Sequence, residues 1–144
     1  MVVRRTAHTV YNLQYHFVFV PKYRRLIFLC EESSRLWELV HEIGERYEYT
    51  IEEIGVSENH VHIFLSAPPR YSPSGIANVI KSITAKHLGL EFSRIKHLLW
   101  GGEVWERGNY VGSCGDAVTA DMIQRYVSYH RHEERGPIQL NLFE

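Results

Sequence analysis

Cysteine is nearly missing from this chain of 144 residues: Cys30 and Cys114 stand alone. Two isolated thiols with no Cys-x-x-Cys pair argue against a disulfide framework and a cysteine-based zinc site, and they suit a reducing, cytoplasmic compartment. Long hydrophobic runs are missing too. No stretch approaches the roughly 18 consecutive apolar residues of a membrane span. Met1-Val2-Val3-Arg4-Arg5 is not followed by the apolar segment of a secretory leader, so neither a membrane association nor export is expected. Charge of one sign is not in excess: Lys and Arg number 16 against 17 Asp and Glu, for a net charge of -1. A nonspecific coat on nucleic acid is therefore unexpected, and any such contact must come from local basic patches. The chain also has no internal repeat or low-complexity segment.

What is present is an ordinary globular composition, 44% hydrophobic and 23% charged. The length suits a single domain over 1–144 with a short tail from about residue 136. Val10 to Val20 alternates aromatic and aliphatic with polar residues and predicts a strand closed by Pro21. Ser33 or Ser34 opens a helix carrying Leu36, Trp37, Leu39, Val40 and Ile43, with Gly44 near its end and the pattern able to reach Tyr47. Tyr49 to Val56 predicts a second strand, joined by a tight turn to a third and forming a hairpin with it. After the loop 67–73, Ser74 is the expected N-cap of a helix bearing Ile76, Val79, Ile80, Ile83 and Leu88. Residues 98–105 read as a turn into another strand, and 110–115 as strand and then flexible chain. Thr119 can cap a last helix, ended by Gly136-Pro137. The order predicts an α+β fold: a ferredoxin-like, RRM-like antiparallel sheet with helices on one side, plus a C-terminal helix.

The chemistry concentrates in Asn59-His60-Val61-His62-Ile63-Phe64-Leu65. Side chains alternate along a strand, so His60 and His62 share one face while Val61, Ile63 and Leu65 take the other. Two neutral imidazoles side by side make half of a metal site. The bland alternative, one buried and one exposed histidine without metal, has even odds for so short a motif. The last helix supplies the rest. Tyr126 and His130 are four apart and lie on one face, with Met122 and Ile123 beside them. His60, His62 and His130 would give three nitrogen ligands and leave positions open for water or substrate. A tyrosine hydroxyl is a weak nucleophile at neutral pH. A divalent cation that polarises a phosphate oxygen makes it a useful one, and the product would be a covalent phosphotyrosine.

These segments together resemble the small single-tyrosine transposases of bacterial insertion sequences, of the IS200-like type, within the HUH nuclease superfamily. The resemblance spans nearly the whole chain. It rests on Tyr15-His16-Phe17-Val18-Phe19-Val20, Pro21-Lys22-Tyr23-Arg24-Arg25, the 59–65 segment, Leu99-Trp100-Gly101-Gly102-Glu103-Val104-Trp105, and the helix with Tyr126. It implies a metal-dependent endonuclease and strand transferase acting on single-stranded DNA that carries a hairpin near each element end. Tyr126 would be the nucleophile, forming a 5′-phosphotyrosine and releasing a 3′-hydroxyl. His60 and His62 would hold Mg²⁺ or Mn²⁺. It further implies a homodimer in which the tyrosine helix of one subunit can complete the site of the other, with Gly112 and Gly115 as a possible hinge. Two positions depart from the family. The third ligand, commonly glutamine, is His130 here, which favours softer ions such as Mn²⁺. Asn59 stands where relatives often have aspartate.

Lys22, Arg24 and Arg25 beside Tyr23 form a basic, aromatic cluster suited to phosphate contact and base stacking. Lys81 and Lys86 could extend a positive groove, with Arg94 and Lys96 as further candidates. A solvated surface role is the ordinary alternative for each. Two other functions compete with transposition: a host-domesticated HUH nuclease that processes repeated palindromes, and a non-catalytic ferredoxin-like nucleic-acid-binding module with Tyr126 in its core.

Overall fold

The computed structural model describes residues 3–22, 30–57, 59–99 and 103–113. A small ribbon of β1 (Arg4–Arg5) and β2 (Val10–Tyr11) leads into β3 (Gln14–Phe19). Then come α1 (Cys30–Tyr47), β4 (Thr50–Val56), β5 (Val61–Ser66), α2 (Pro73–Glu91), α3 (Ser93–Leu99) and β6 (Tyr110–Ser113). The main sheet has the order β4-β5-β3-β6, and every neighbouring pair is antiparallel. This is the expected α+β, ferredoxin-like architecture. Tyr23, Arg24 and Arg25, the Tyr126–His130 helix and the C-terminal tail lie outside the described residues.

Local chemistry explains the element boundaries. The strand expected over 10–20 is split at Asn12-Leu13: β2 pairs with β1, whereas β3 joins the main sheet. The Leu13 carbonyl accepts a hydrogen bond from Ala67 N at 3.2 Å, so the chain leaves one ladder and enters the other there. Helix α1 begins at Cys30, ahead of the expected Ser33, with Glu31 and Glu32 in its first turn, where they favour the helix dipole. It runs through Gly44 to Tyr47 and ends where Glu48 turns left-handed at φ 63°. Gly44 serves contact rather than termination: a Cβ there would come within 2.9 Å of Ile51 and 3.0 Å of the Tyr49 carbonyl. The cap of α2 is Ser72, not Ser74. Its hydroxyl accepts from Gly75 N at 3.0 Å, and Pro73 follows at N1, where a missing N–H costs nothing.

One face of the sheet builds the core. Phe17 and Phe19 of β3 and Val61, Ile63 and Leu65 of β5 pack under Leu36, Leu39, Val40 and Ile43 of α1. Ile76, Ala77, Ile80 and Leu88 of α2 and Ile95 of α3 complete it. Arg35 clasps α1 to the end of α2 through Glu91 at 2.7 Å, and Arg94 reaches the buried Glu32 at 2.7 Å. Helix α3 was not anticipated, and the strand expected near Trp105 is a single bridge to Pro21.

That bridge anchors the connection to β6. Lys22 N donates to Val104 O at 2.8 Å and Glu106 N to Val20 O at 2.7 Å. From below, the buried Thr84 hydroxyl accepts from Trp105 Nε1 at 3.0 Å and donates to Ile80 O at 2.7 Å. Thr84→Val keeps the volume and removes that acceptor. It is expected to lower the urea midpoint by an amount equivalent to about 1–3 kcal/mol with an unchanged m value, whereas Thr84→Ser should retain most of the stability.

Candidate functional site

The other face of the sheet carries the polar side chains. Register places Val18 and Gly55 opposite His62, and His16 and Glu53 opposite Phe64. Tyr110 lies opposite Val18 and Gly112 opposite His16. Alternation therefore separates Val61, Ile63 and Leu65, which enter the core, from His62 and Phe64, which do not. His60 lies just ahead of β5 in the turn from β4, where its carbonyl accepts from Ser57 N at 2.9 Å. The two imidazoles stand with ring centroids 6.2 Å apart and planes at 83°.

His60 is held by its own turn. Its Nδ1 lies 2.9 Å from Asn59 Oδ1 and 2.8 Å from Ser57 Oγ. An amide oxygen can only accept, so this contact requires the proton on Nδ1. The Ser57 hydroxyl can accept from the same N–H while donating to the His60 carbonyl at 3.0 Å. That tautomer leaves the lone pair on Nε2, the nitrogen free for a ligand bond. Burial, reinforced by the nearby His62, holds the His60 pKa below its ordinary value. The ring is therefore neutral at physiological pH, the state that binds metal. Asn59 is thus a neutral acceptor behind the ring.

His62 is held differently. Its imidazole lies across Gly55 of β4, and Nε2 is 3.7 Å from the exposed Glu53 Oε1. On its other side is His16, a third histidine on this face, with ring centroids 6.0 Å apart and planes at 27°. His16 also packs on Phe64 at 4.9 Å. Burial first, then His62, lowers the His16 pKa, and Glu53 opposes that. His16 was not singled out as a site residue. The signal was present in the alternation of Tyr15-His16-Phe17, but only strand pairing shows that position 16 falls beside His62.

The basic candidates lie elsewhere. Lys22 is exposed at the end of the bridge to Val104, and Lys86 is exposed on α2. Lys81 is half-buried, and its ammonium donates to Glu106 O at 2.9 Å and Gly108 O at 2.7 Å. It fastens the connection to β6 and sits 5.7 Å from the Phe19 ring centroid. Burial lowers its pKa, opposed by Glu103 and Glu106. Lys81, Lys96 and Arg107 line a groove of roughly 720 Å³ on the helix side, together with Glu103, Trp105 and Glu106, so its charge is mixed.

The donor set on the sheet suits a divalent cation of the transition series: two imidazoles on one face, one of them fixed as a neutral Nε2 donor. Among the described residues no group of three or more His, Cys, Asp or Glu could hold an ion. The pair alone makes no such group, and the expected nucleophile Tyr126 and third ligand His130 lie outside the described residues. No described helix is long and apolar enough to cross a membrane.

Comparison with known proteins gives the family. The chain is 31% identical over 136 residues to a transposase for insertion sequence element IS200 from Salmonella typhimurium, covering 94% of this chain and 88% of that one. It is 26% identical over 125 residues to the ISDra2 transposase TnpA of Deinococcus radiodurans, covering 87% and 89%. In fold it resembles the crystal structure of a candidate transposase from Deinococcus radiodurans, with TM-score 0.76 and 23% identity over 88% of this chain and 97% of that one. A REP-associated tyrosine transposase bound to a REP hairpin is a more distant likeness, with TM-score 0.51 and 14% identity over 94% and 74%. The family model described as "Transposase IS200 like" matches residues 9–130, and the chain belongs to that family of DNA-processing transposases.

Proposed function

We propose that the chain cuts and rejoins single-stranded DNA at hairpin-bearing element ends through a phosphotyrosine at Tyr126, with His60, His62 and His130 holding Mg²⁺ or Mn²⁺. The observation that carries this reading is the His60–His62 pair on the sheet face opposite the core, with the neutral His60 ring locked by Asn59 and Ser57. The hairpin bound to the REP-associated neighbour supports a hairpin as part of the substrate.

The transfer balances without an external energy source. The Tyr126 oxygen forms a bond to phosphorus as the bond from phosphorus to the 3′-oxygen breaks. The tyrosine gives up its proton, and the released 3′-oxygen takes one. The 5′-phosphotyrosine conserves the ester, so a second 3′-hydroxyl can reverse the exchange on another strand. When bound, the cation would polarise the scissile phosphate and stabilise charge developing on it. His60, His62 and His130 would hold that ion, and the histidine in place of glutamine shifts preference toward Mn²⁺. Asn59 and Ser57 keep the His60 lone pair outward. Lys22 with Tyr23, Arg24 and Arg25, together with Lys81 and Lys86, is the proposed DNA-contacting set, with the ammonium of Lys81 shared with two backbone carbonyls. The protein acts as a homodimer, with the tyrosine helix able to serve the partner's histidine pair.

Incubation with labelled hairpin single-stranded DNA and Mn²⁺ is expected to give a covalent adduct that survives denaturing gels. The adduct should vanish in Tyr126→Phe, and in His60→Ala with hairpin binding retained. An adduct that persists in Tyr126→Phe would sink the nucleophile assignment. Asn59→Ala is expected to weaken Mn²⁺ binding about tenfold, and Asn59→Asp to restore it, as read by titration of the ion with electron paramagnetic resonance.

A further inference from the structure

Glycine in the interior of a strand weakens it, because it has no side chain to pack and more backbone freedom to lose. Gly55 sits near the end of β4 all the same. Backbone conformation does not explain it, since Gly108 is the only described glycine with positive φ. Space does. A Cβ built on Gly55 would lie 2.1 Å from His62 Nε2 and 2.5 Å from His62 Cδ2, far inside van der Waals contact. The bare Cα leaves a notch, and the imidazole occupies it.

The alignment of notch and ring has its own cause. In the β4–β5 ladder Ile51 pairs with Leu65, and the next pair is Glu53 with Phe64. The ladder thus advances two residues on β4 for one on β5, leaving Glu52 as the extra residue of a bulge. Downstream, Ile54 meets Ile63 and Gly55 meets His62. Were Glu52 paired in a regular ladder instead of bulged, Ile54 would oppose His62 and Gly55 would oppose Val61. The bulge is tied from outside, where Arg4 of the β1–β2 ribbon reaches Glu52 at 2.7 Å.

We infer that Gly55 is a positioning residue for His62: the bulge at Glu52 brings a side-chain-free position under the ring, and that position fixes where the imidazole can lie. The consequence for the ion rests on the reading of His62 as a metal ligand, whereas the consequence for the ring does not. Any side chain at 55 drives the imidazole off β4 and alters its placement relative to His60.

The test uses the full chain as wild type, Gly55→Ala, His62→Ala and the double variant, with Gly89→Ala as a control because a Cβ there meets nothing within 4 Å. Imidazole proton–nitrogen spectra of the metal-free proteins are expected to show His62 resonances moved in Gly55→Ala, with those of His60 in place. Mn²⁺ affinity, read by electron paramagnetic resonance, should fall about tenfold or more in Gly55→Ala and in His62→Ala. It should fall no further in the double variant. The fall in melting temperature caused by Gly55→Ala should likewise disappear once the His62 ring is gone. If Gly55→Ala fails to fold, a folded double variant supports the inference, and failure of both overturns it. Unmoved His62 resonances, or an equal loss of melting temperature with and without the ring, would also overturn it. Wild-type Mn²⁺ affinity in His62→Ala would instead refute the ligand assignment and leave the resonance and melting comparisons to decide the role of Gly55.

Discussion

Strand β5 is hydrogen-bonded on both sides, to β3 along one edge and β4 along the other, and its register cannot slip without cost. A shift of one residue would turn Val61, Ile63 and Leu65 out of the core and bury His62 in their place. Burying three large apolar side chains stabilises by several kcal/mol, on the order of 1.5–3 kcal/mol each. The same packing that holds the fold therefore holds His62 on the face opposite the core. His62 is placed by the alternation of a central strand, and His60 stands in the turn at its entrance. The helices α1, α2 and α3 act on the site only through this sheet, by fixing what lies beneath it.

The two histidines are nonetheless held by different means. His60 depends on hydrogen bonds within its own turn, from Ser57 and Asn59, which select its tautomer. His62 depends on shape, lying in a gap that β4 leaves open beside His16. Such an arrangement suits a site whose other half, Tyr126 and His130, is delivered by a separate helix under the function proposed above.

How much of this was legible in the sequence depends on the range of the cause. Alternation is local, so the core role of Val61, Ile63 and Leu65, the opposite placement of His62 and the overall α+β order could be read directly, whereas His60 stands in the turn ahead of β5 and not within the strand. Family membership was legible from the combined segments, each weak alone. Other features were hidden because they depend on partners far away in the chain. The Ser72 cap is an exception, a local feature set by Pro73 beside it in the first turn. His16 joins the site only through the β3–β5 pairing, and the bulge that moves Gly55 under His62 has no signature in the residues of β4 themselves. Lys81 looked like a surface cation, yet it is fixed by carbonyls 25 and 27 positions away in the chain. The role of Asn59 was open in the sequence, whereas in the structure its amide oxygen accepts from the His60 ring.

Under the proposed function, His60 and His62 together bind the cation on the sheet face opposite the core. Pulsed electron paramagnetic resonance of the Mn²⁺-loaded full chain tests it most directly, because imidazole nitrogens bound to the ion modulate the electron spin echo. The expected result is nitrogen modulation in the wild type that weakens in His60→Ala and in His62→Ala and is unchanged in His97→Ala, whose histidine is exposed on α3. An echo free of nitrogen modulation, or one that survives loss of both His60 and His62, would contradict it.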